Sequence, residues 1–262
     1  MFGKLRSVSK SRLYLTRPES VYFYTLHKCA SSLFSDYVLK NVRHLRLMDY
    51  ADRFYNGDPL ECVTFKDKGF IYGPIRLSTG PPSAIYSRLI EPASRNDFVR
   101  DKIAIFLVRD PRDIIVSSYY SFGYTHEFSA VKEIEERQRQ IRALIRRTTI
   151  DAFALEIANA TLNHFHIIDR LSQACNRGIV LKYEDMIDNW EKFSSGLTKY
   201  LDIGRKALRH TYKQSRPLEN ESEIGFRRSG KPGAYRHKLL TSTVEALNIV
   251  FAPVLTRFHY EP

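Results

Sequence analysis

Three short apolar segments, each followed by a helical pattern, constrain the fold of this chain more than any other feature. They are SVYFYTL (20–26), KIAIFLV (102–108) and GIVLKYED (178–185), and the third ends in polar residues. Apolar runs of this length are typical of strands buried on both faces. Strands that alternate with helices form a parallel sheet covered by its crossover helices. We therefore predict an α/β fold with a central parallel β-sheet flanked by helices.

The helices are predicted from apolar periodicity and from capping residues. Pro111 suits the first turn of a helix after the second strand, with Asp110 as its N-cap. Further helices are predicted after residue 30, over 131–148 and 151–172, from the third strand to about Leu201, and over 241–257. Residues 51–100 are irregular apart from a short strand at 68–73, and the basic residues 204–238 are predicted to be loop-like.

The composition limits the classes of partner and compartment. The 262 residues include 41 Lys and Arg against 29 Asp and Glu, a formal net charge of +12. This balance predicts affinity for nucleic acid, an acidic membrane surface or a phosphate-rich small molecule. Cys29, Cys62 and Cys175 form neither a disulfide framework nor a metal-binding pair, which is typical of a reducing compartment. Without a secretory signal or an apolar run of about 18 residues, we expect a cytoplasmic protein with no membrane span and no metal.

The residues after the first strand, LHKCASS, are suited to an anion. Lys28 lies at the turn into the next helix, where the hydroxyls of Ser31 and Ser32 and the amides of residues 29–32 can donate hydrogen bonds. A helix N-terminus with a lysine and two hydroxyls favours a phosphate or sulfate dianion. The alternative is structural: Ser31 caps the helix and Lys28 is solvated.

Two more basic segments have the same character. Arg109 ends the second strand and Ser117 lies eight residues later, two helical turns into the next element. Arginine suits bidentate phosphate recognition, although Arg109 can instead pair with Asp110 or Asp113. The late segment FRRSGKPGAYRHK (226–238) interleaves cations with glycines whose amides can approach an anion, or it is a solvated basic face. Together, three such elements in one α/β domain can surround a ligand with several phosphates.

At these segments the chain resembles the sulfotransferases that use 3'-phosphoadenosine 5'-phosphosulfate (PAPS). LHKCASSLF resembles their first motif, YPKSGTTW, at Lys28 and at Ser31 and Ser32 in the places of the two threonines. RDPRDIIVSSYYSF resembles their second motif, an arginine with a serine eight residues later, at Arg109 and Ser117. The first motif of the family holds the 5'-phosphosulfate, and the second binds the 3'-phosphate.

Two later segments extend the resemblance. LKYEDMIDNWEKF carries the family's YED, with Tyr183 in the place of a tyrosine that approaches the adenine. RSGKPGAYRHK resembles the RKGxxGDWK stretch that clamps the 3'-phosphate, at Arg228, Ser229, Gly230 and Gly233. The four segments occur in the family's order over roughly residues 21–240.

The resemblance implies one P-loop NTPase-like sulfotransferase domain over residues 1–262, with a basic extension at 1–19 and a basic cofactor-covering loop at 204–238. It implies in-line transfer of a sulfuryl group from PAPS to a hydroxyl or amine of a small-molecule or carbohydrate acceptor, and no nucleic-acid partner. The residues implied to bind the donor are His27, Lys28, Cys29, Ala30, Ser31, Ser32, Leu33, Arg109, Ser117, Tyr183, Arg228, Ser229 and Gly230. The oligomeric state stays open, with a homodimer as one alternative.

The first motif departs from the family at several positions. His27 replaces a proline, Cys29 and Ala30 replace Ser-Gly, and Leu33 stands where some members place a tryptophan that stacks on adenine. Alanine adopts a positive φ less readily than glycine. We therefore expect the loop to have right-handed, αR-like geometry at Ala30.

The catalytic groups are predicted from the charge and protons that sulfuryl transfer must stabilise. Lys28 is expected to assist the leaving group. Many family members carry a histidine base after the strand that precedes the second motif, but no histidine occurs from 45 to 125. His126 and Glu127 are the nearest alternatives, and His27 is a third. A neutral histidine is well suited to accept the acceptor's proton.

Competing functions are weighed on the same residues. A cysteine phosphatase needs an arginine six positions after Cys29, where the chain has Ser35. A P-loop kinase needs GxxxxGK[ST], and the first loop contains no glycine. A nucleic-acid-binding protein explains the net charge but not cations placed at strand ends. A catalytically degenerate PAPS-binding protein stays open because the usual histidine is missing.

Overall fold

A five-stranded parallel sheet forms the centre of the protein, in the order β2-β3-β1-β4-β5. The computed structural model describes residues 18–49, 64–76, 91–218 and 230–262. The strands are β1 (Val21–Thr25), β2 (Arg46–Met48), β3 (Phe70–Arg76), β4 (Ile103–Val108) and β5 (Arg177–Lys182). The predicted α/β fold with a central parallel sheet is confirmed.

Helices connect these strands, and most of the predicted ones are present. The first begins as α1 (Ser31–Leu33) and continues as π-helical Phe34–Val38 and 3-10-helical Leu39–Asn41. The others are α2 (Asn96–Val99), α3 (Pro111–Tyr120), α4 (Lys132–Ile145), α5 (Ile150–Ala174), α6 (Tyr183–Asp188), α7 (Trp190–Thr198), α8 (Arg205–Ser215), α9 (Tyr235–Lys238) and α10 (Thr241–Arg257). None of the helices in the described ranges has the length and apolar character that a membrane span requires.

Aromatic side chains of β1 pack on both faces of the sheet. Phe23 stacks on Phe34 of the first helix, with 4.8 Å between the ring centroids. On the opposite face, Tyr24 stacks on Phe106 of β4 at 5.0 Å. All four side chains are fully buried. Because successive residues of a strand point to opposite faces, β1 joins two layers of core and fixes the position of the loop that follows it.

The prediction of a loop over residues 204–238 is wrong where α8 and α9 form. Thr211 and Ser215 of α8 are buried, and the Thr211 hydroxyl donates to Tyr37 O at 3.1 Å. The basic residues of α8 are on its exposed side. Small polar residues at helical spacing therefore provide the buried face, which a search for apolar periodicity does not detect. Residues 219–229 of this segment, and residues 1–17 of the predicted N-terminal extension, lie outside the described residues.

Candidate active site

The carboxyl ends of the four longest strands meet at one edge of the sheet. Thr25 at the end of β1 is in register with Arg76 of β3 and with Leu107 of β4. Val108 of β4 is in register with Lys182 of β5. The residues that follow β1, β4 and β5 are therefore neighbours, although they are far apart in the sequence. Ligands of parallel α/β sheets bind at this edge.

The loop after β1 has a left-handed backbone without any glycine. Lys28 has φ 64° and Ala30 has φ 59° and ψ 28°. The expectation of αR-like geometry at Ala30 is therefore wrong. Each such residue costs about 1–2 kcal/mol, and the fully buried Cys29 between them holds the turn against the core. Ala30 is the N-cap of α1 and there is no side-chain cap, so the alternative in which Ser31 caps the helix is not supported.

The Lys28 ammonium points across this loop to the segment that follows α3. Its Nζ donates to Ser121 Oγ at 2.6 Å and lies 5.2 Å from the centroid of the Phe122 ring. Burial, and then the positive charges of Arg76 and Arg109, lower the pKa of Lys28 to about 8. An anion bound beside Lys28 would relieve this repulsion and keep the ammonium protonated.

Arg76, at the end of β3, is a site residue that the sequence reasoning missed. Its Nε and Nη2 donate to Ser31 Oγ at 3.2 and 2.9 Å. Ser31 is buried whereas Ser32 is exposed, so only the first of the two predicted hydroxyls is held at this position. Arg76 ends the observed strand but lies three residues beyond the strand predicted at 68–73, so the strand-end signal that identified Arg109 was displaced.

Arg109 is buried between the first loop and Tyr183, which follows β5. Its Nη1 donates to Lys28 O at 3.1 Å, its Nη2 lies 3.5 Å from Asp113 Oδ2, and its guanidinium stacks 4.3 Å from the centroid of the Tyr183 ring. Its Nε is buried without a hydrogen-bond partner. Burial alone would lower the pKa of Arg109, but Asp113 and Tyr183 raise it above its usual range, so the charge is retained.

Asp113 of α3 connects Arg109 to the segment that begins at Gly230. Its carboxylate accepts from the amides of Gly233 at 2.8 Å and Tyr235 at 3.1 Å. Tyr183 donates its hydroxyl to Gly230 O at 2.6 Å. The structure therefore brings Gly230 to Tyr183, as the motif order suggested. The predicted donor ligands Arg228 and Ser229 lie outside the described residues, and Ser117 is half-buried on α3.

Two histidines lie around the Phe122 ring on the other side of Lys28. His126 and His27 have ring centroids 5.4 and 6.3 Å from that of Phe122. Burial, and then the charges of Lys28 and Arg142, lower the pKa of His126 to about 4. Burial and the charge of Arg76 likewise hold the pKa of His27 well below its usual range. Both imidazoles are therefore neutral at physiological pH, and the predicted alternative Glu127 is exposed.

Cys29 and Leu33 contribute packing to the site. Burial raises the pKa of the Cys29 thiol to about 12, so it holds no thiolate and is unsuited to the cysteine-phosphatase mechanism. Leu33 is half-buried and packs against the core. No group of three His, Cys, Asp or Glu side chains among the described residues is arranged to hold a metal ion.

A parallel sheet with three cations around the loop after its central strand is chemically suited to a polyanionic ligand. The family model of the sulfotransferase domain matches residues 96–259, and the chain therefore belongs to this family. Its predicted place among the PAPS-dependent sulfotransferases, and the predicted class of enzyme, are confirmed. The match includes Arg109, Ser117 and Tyr183 but begins after the Lys28 loop.

Solved sulfotransferase-fold structures are similar to this chain over most of its length. Mouse sulfotransferase SULT7A1 in complex with PAP has a TM-score of 0.53 and 12% identity, over 90% of this chain and 84% of that chain. Retinol dehydratase in complex with retinol and PAP gives 0.53 and 12%, over 91% and 82%. Its complex with androsterone and the inactive cofactor PAP gives 0.50 and 15%, over 91% and 81%. A search of curated protein sequences found no match. At these identities the likeness shows a shared fold.

Proposed function

We propose that this chain transfers the sulfuryl group of PAPS, in line, to a hydroxyl or amine of a small-molecule or carbohydrate acceptor. The observation that carries the proposal is the convergence of Lys28, Arg76 and Arg109 on the loop after β1 in a sulfotransferase-family chain. PAP, the desulfated product adenosine 3',5'-bisphosphate, in the mouse sulfotransferase and retinol dehydratase structures supports the same donor. A cytoplasmic location and a possible homodimer stay predictions from the sequence.

The described residues fit the two charged ends of the donor. Arg109 offers a buried, unpartnered Nε to the 3'-phosphate, and Ser117, with Gly230 nearby, would complete that end. Lys28, Arg76 and the Ser31 hydroxyl would hold the 5'-phosphosulfate at the start of α1. The Arg109 guanidinium stacks on the Tyr183 ring. We therefore propose that Tyr183 orients that arginine.

When bound, PAPS would supply an activated sulfuryl group whose leaving group is a phosphate. Lys28 would stabilise the negative charge that develops on the leaving phosphate oxygen, and its bond to Ser121 Oγ fixes the direction of the ammonium. The half-buried position of Lys28 excludes part of the water that would otherwise screen this charge. These contributions are positioning and electrostatics, as in phosphoryl transfer.

We propose His126 as the base that takes the acceptor's proton, with Glu127 as the alternative. The neutral His126 ring, whose Nδ1 is buried without a partner, is near Lys28 and the Phe122 ring. Its pKa of about 4 makes it a weak base when the cations around it are unneutralised. The negative charge of the donor would offset the effects of Lys28 and Arg76, and raise the basicity of His126.

The absence of a histidine from residues 45–125, where many family members carry the base, favours a second candidate function, a PAPS-binding protein without turnover. Calorimetry with PAP tests the donor site for both functions. We expect saturable binding by the wild type and at least a tenfold weaker binding by Arg109→Ala. Equal binding by both proteins, or none by the wild type, would contradict the donor site. Binding by the wild type without sulfation of any member of a hydroxyl and amine acceptor panel would favour the second function.

A further inference from the structure

We propose that the acceptor carries an anionic group, a carboxylate or a sulfate ester, which binds Arg142 and Arg146 of α4 beside His126. The inference rests on the sulfotransferase function proposed above, because it names the acceptor class of that same site. Its structural basis is the way α4 packs against the π-helical turn Ser121–Thr125.

The two arginines bind the backbone of the turn that leads to His126. Arg142 donates from Nε to Phe122 O at 3.3 Å and from Nη2 to His126 O. Arg146 donates from Nε to Gly123 O at 2.8 Å. The turn is close to α4 at this point, because a Cβ on Gly123 would lie 2.8 Å from Ile145 Cγ2. The Arg142 guanidinium is therefore fixed at the backbone of the proposed base, and the Arg146 guanidinium is fixed at Gly123 of the same turn.

Aromatic rings restrict the two side chains further. The Arg142 guanidinium lies 4.0 Å from the centroid of the Phe128 ring, and that of Arg146 lies 5.5 Å from the centroid of the Tyr124 ring. Side chains that are already ordered lose less conformational entropy when a ligand binds. The ring contact is shorter for the partly buried Arg142 than for the exposed Arg146.

Most hydrogen-bond donors of the pair are left for a ligand. A guanidinium has five N–H donors. Arg142 uses two of its donors in bonds to the turn and keeps three. Arg146 uses one and keeps four. Neither residue forms an ion pair within the described ranges, whereas Arg139 on the same helix pairs with Glu135 at 2.6 Å. The pair can therefore offer bidentate contacts to a carboxylate or sulfate.

The charges around the turn also favour an anionic acceptor. Burial, and then the neighbouring guanidiniums of Arg146 and Arg139, lower the pKa of Arg142. The fold therefore holds like charges together, and a neutral acceptor would leave their repulsion in place. The donor's phosphates have Lys28, Arg76 and Arg109 to bind them. A second anion beside α4 would offset the positive charge of Arg142 and Arg146.

The experiment follows the side-chain Nε–Hε NMR signals of the arginines in protein saturated with PAP. Glucuronate, glucose 6-sulfate and glucose are added separately at constant ionic strength. We expect saturable shifts of the Arg142 and Arg146 signals with at least one of the two anionic sugars and none with glucose. The relative affinities of the two anionic sugars distinguish a carboxylate from a sulfate site.

Variants on the same helix make the result specific. Arg146→Gln should weaken binding of the preferred anionic sugar at least tenfold, the loss of one charged hydrogen bond. Arg147→Gln removes the same charge from the next position, which is also exposed, and should leave the affinity unchanged. Arg146→Lys, which keeps the charge, should retain part of the binding. Circular dichroism shows whether each variant is folded.

Three outcomes would overturn the inference: no saturable shift, equal shifts with glucose, or equal losses in Arg146→Gln and Arg147→Gln. These are distinguishable from failure of the proposed function. PAP binding is measured by calorimetry on the same samples. If the wild type does not bind PAP, the donor site itself is contradicted. The sugar titration is then repeated without PAP, so that Arg142 and Arg146 are still tested.

Discussion

The ends of β4 and β1 are adjacent, yet their charges are satisfied in different ways. After β4, Asp110 accepts from Arg112 at 2.7 Å, and Asp113 accepts from two backbone amides and lies 3.5 Å from Arg109. After β1, the Lys28 ammonium donates to a serine hydroxyl, as does Arg76 of the neighbouring β3. Among the described residues, neither Lys28 nor Arg76 has a carboxylate partner.

This difference indicates that the paired carboxylates after β4 support the fold, whereas Lys28 and Arg76 around the loop after β1 are available to an anion. Removing one partner of a buried charge pair is costly, because the other charge is left unpaired in the interior. Charges that are bonded only to neutral hydroxyls keep most of their attraction for an anion. We therefore expect changes to the carboxylates after β4, Asp110 and Asp113, to act mainly on stability, and changes to the cations around the loop after β1 to act mainly on donor binding and turnover.

The largest effect is expected from Asp113→Ala, which would break the scaffold. The substitution leaves two backbone amides and Arg109 without their acceptor, and should lower the free energy of unfolding by about 3–5 kcal/mol. Urea unfolding measures this loss. Asp188→Ala, at an exposed position, should change it by less than about 0.5 kcal/mol. Similar losses of unfolding free energy in the two variants would contradict a structural role for Asp113.

Lys28→Met should have the opposite profile. It removes the ammonium but keeps most of the side-chain volume, so kcat should fall by about 100- to 1000-fold. The free energy of unfolding should not decrease, because burial and neighbouring cations disfavour the charge in the folded protein. The exposed Lys206→Met is the control and should change neither quantity. A kcat within tenfold of the wild type would count against Lys28 as the leaving-group cation.

A titration of His126 with and without PAP tests whether the donor neutralises the positive charge of Lys28 and Arg76. Without ligand, His126 should titrate with a pKa of about 4. PAP should raise this value by about one unit, because anionic charge opposes the effects of Lys28 and Arg76. The His126 ring proton, assigned with His126→Asn, reports the pKa by NMR. An unchanged pKa at saturating PAP would mean that the donor does not bind near His126.

The smallest effect concerns the backbone of the loop after β1. Ala30→Gly should raise the free energy of unfolding by about 0.5–1 kcal/mol. Glycine relieves the left-handed strain, but its larger loss of conformational entropy on folding cancels part of this stabilisation. Gly233→Ala is the matched reverse change, since Gly233 has φ 78° and the nearest atom to its Cβ position is Arg236 Nε at 3.9 Å, which leaves room for a methyl group. It should destabilise by about 1 kcal/mol. Changes of the same sign would contradict the assigned backbone.

The end of β4 was the easier region to predict from sequence. Asp110, Pro111 and the apolar positions of α3 determine the helix start through local interactions, and the Asp110 carboxylate caps the helix as expected. Arg109 follows a strand whose sequence is apolar throughout. Each of these signals needs only a few consecutive residues.

The loop after β1 could not be predicted in the same way, because its conformation depends on contacts between distant segments. The left-handed Ala30 follows the fully buried Cys29 and packs against a core that is built from distant segments of the chain. Arg76 meets Ser31 across 45 residues of sequence, and Lys28 meets Ser121 across 93. No local sequence pattern specifies such pairs. The members of the site could therefore be identified only once the register of the sheet was known.

The central position of β1 has a consequence for how the protein is made. Thr25 bonds to Leu107 O, a residue 82 positions later, so the strand has no β4 partner until that stretch has been synthesised. At ribosomal rates of roughly 5–20 residues per second, the interval is about 4–16 s. During that time the aromatic strand VYFYT has a bare edge that can pair with other chains. We expect the nascent protein to need a chaperone on β1, and its yield to increase when synthesis is slowed after residue 108 rather than before it.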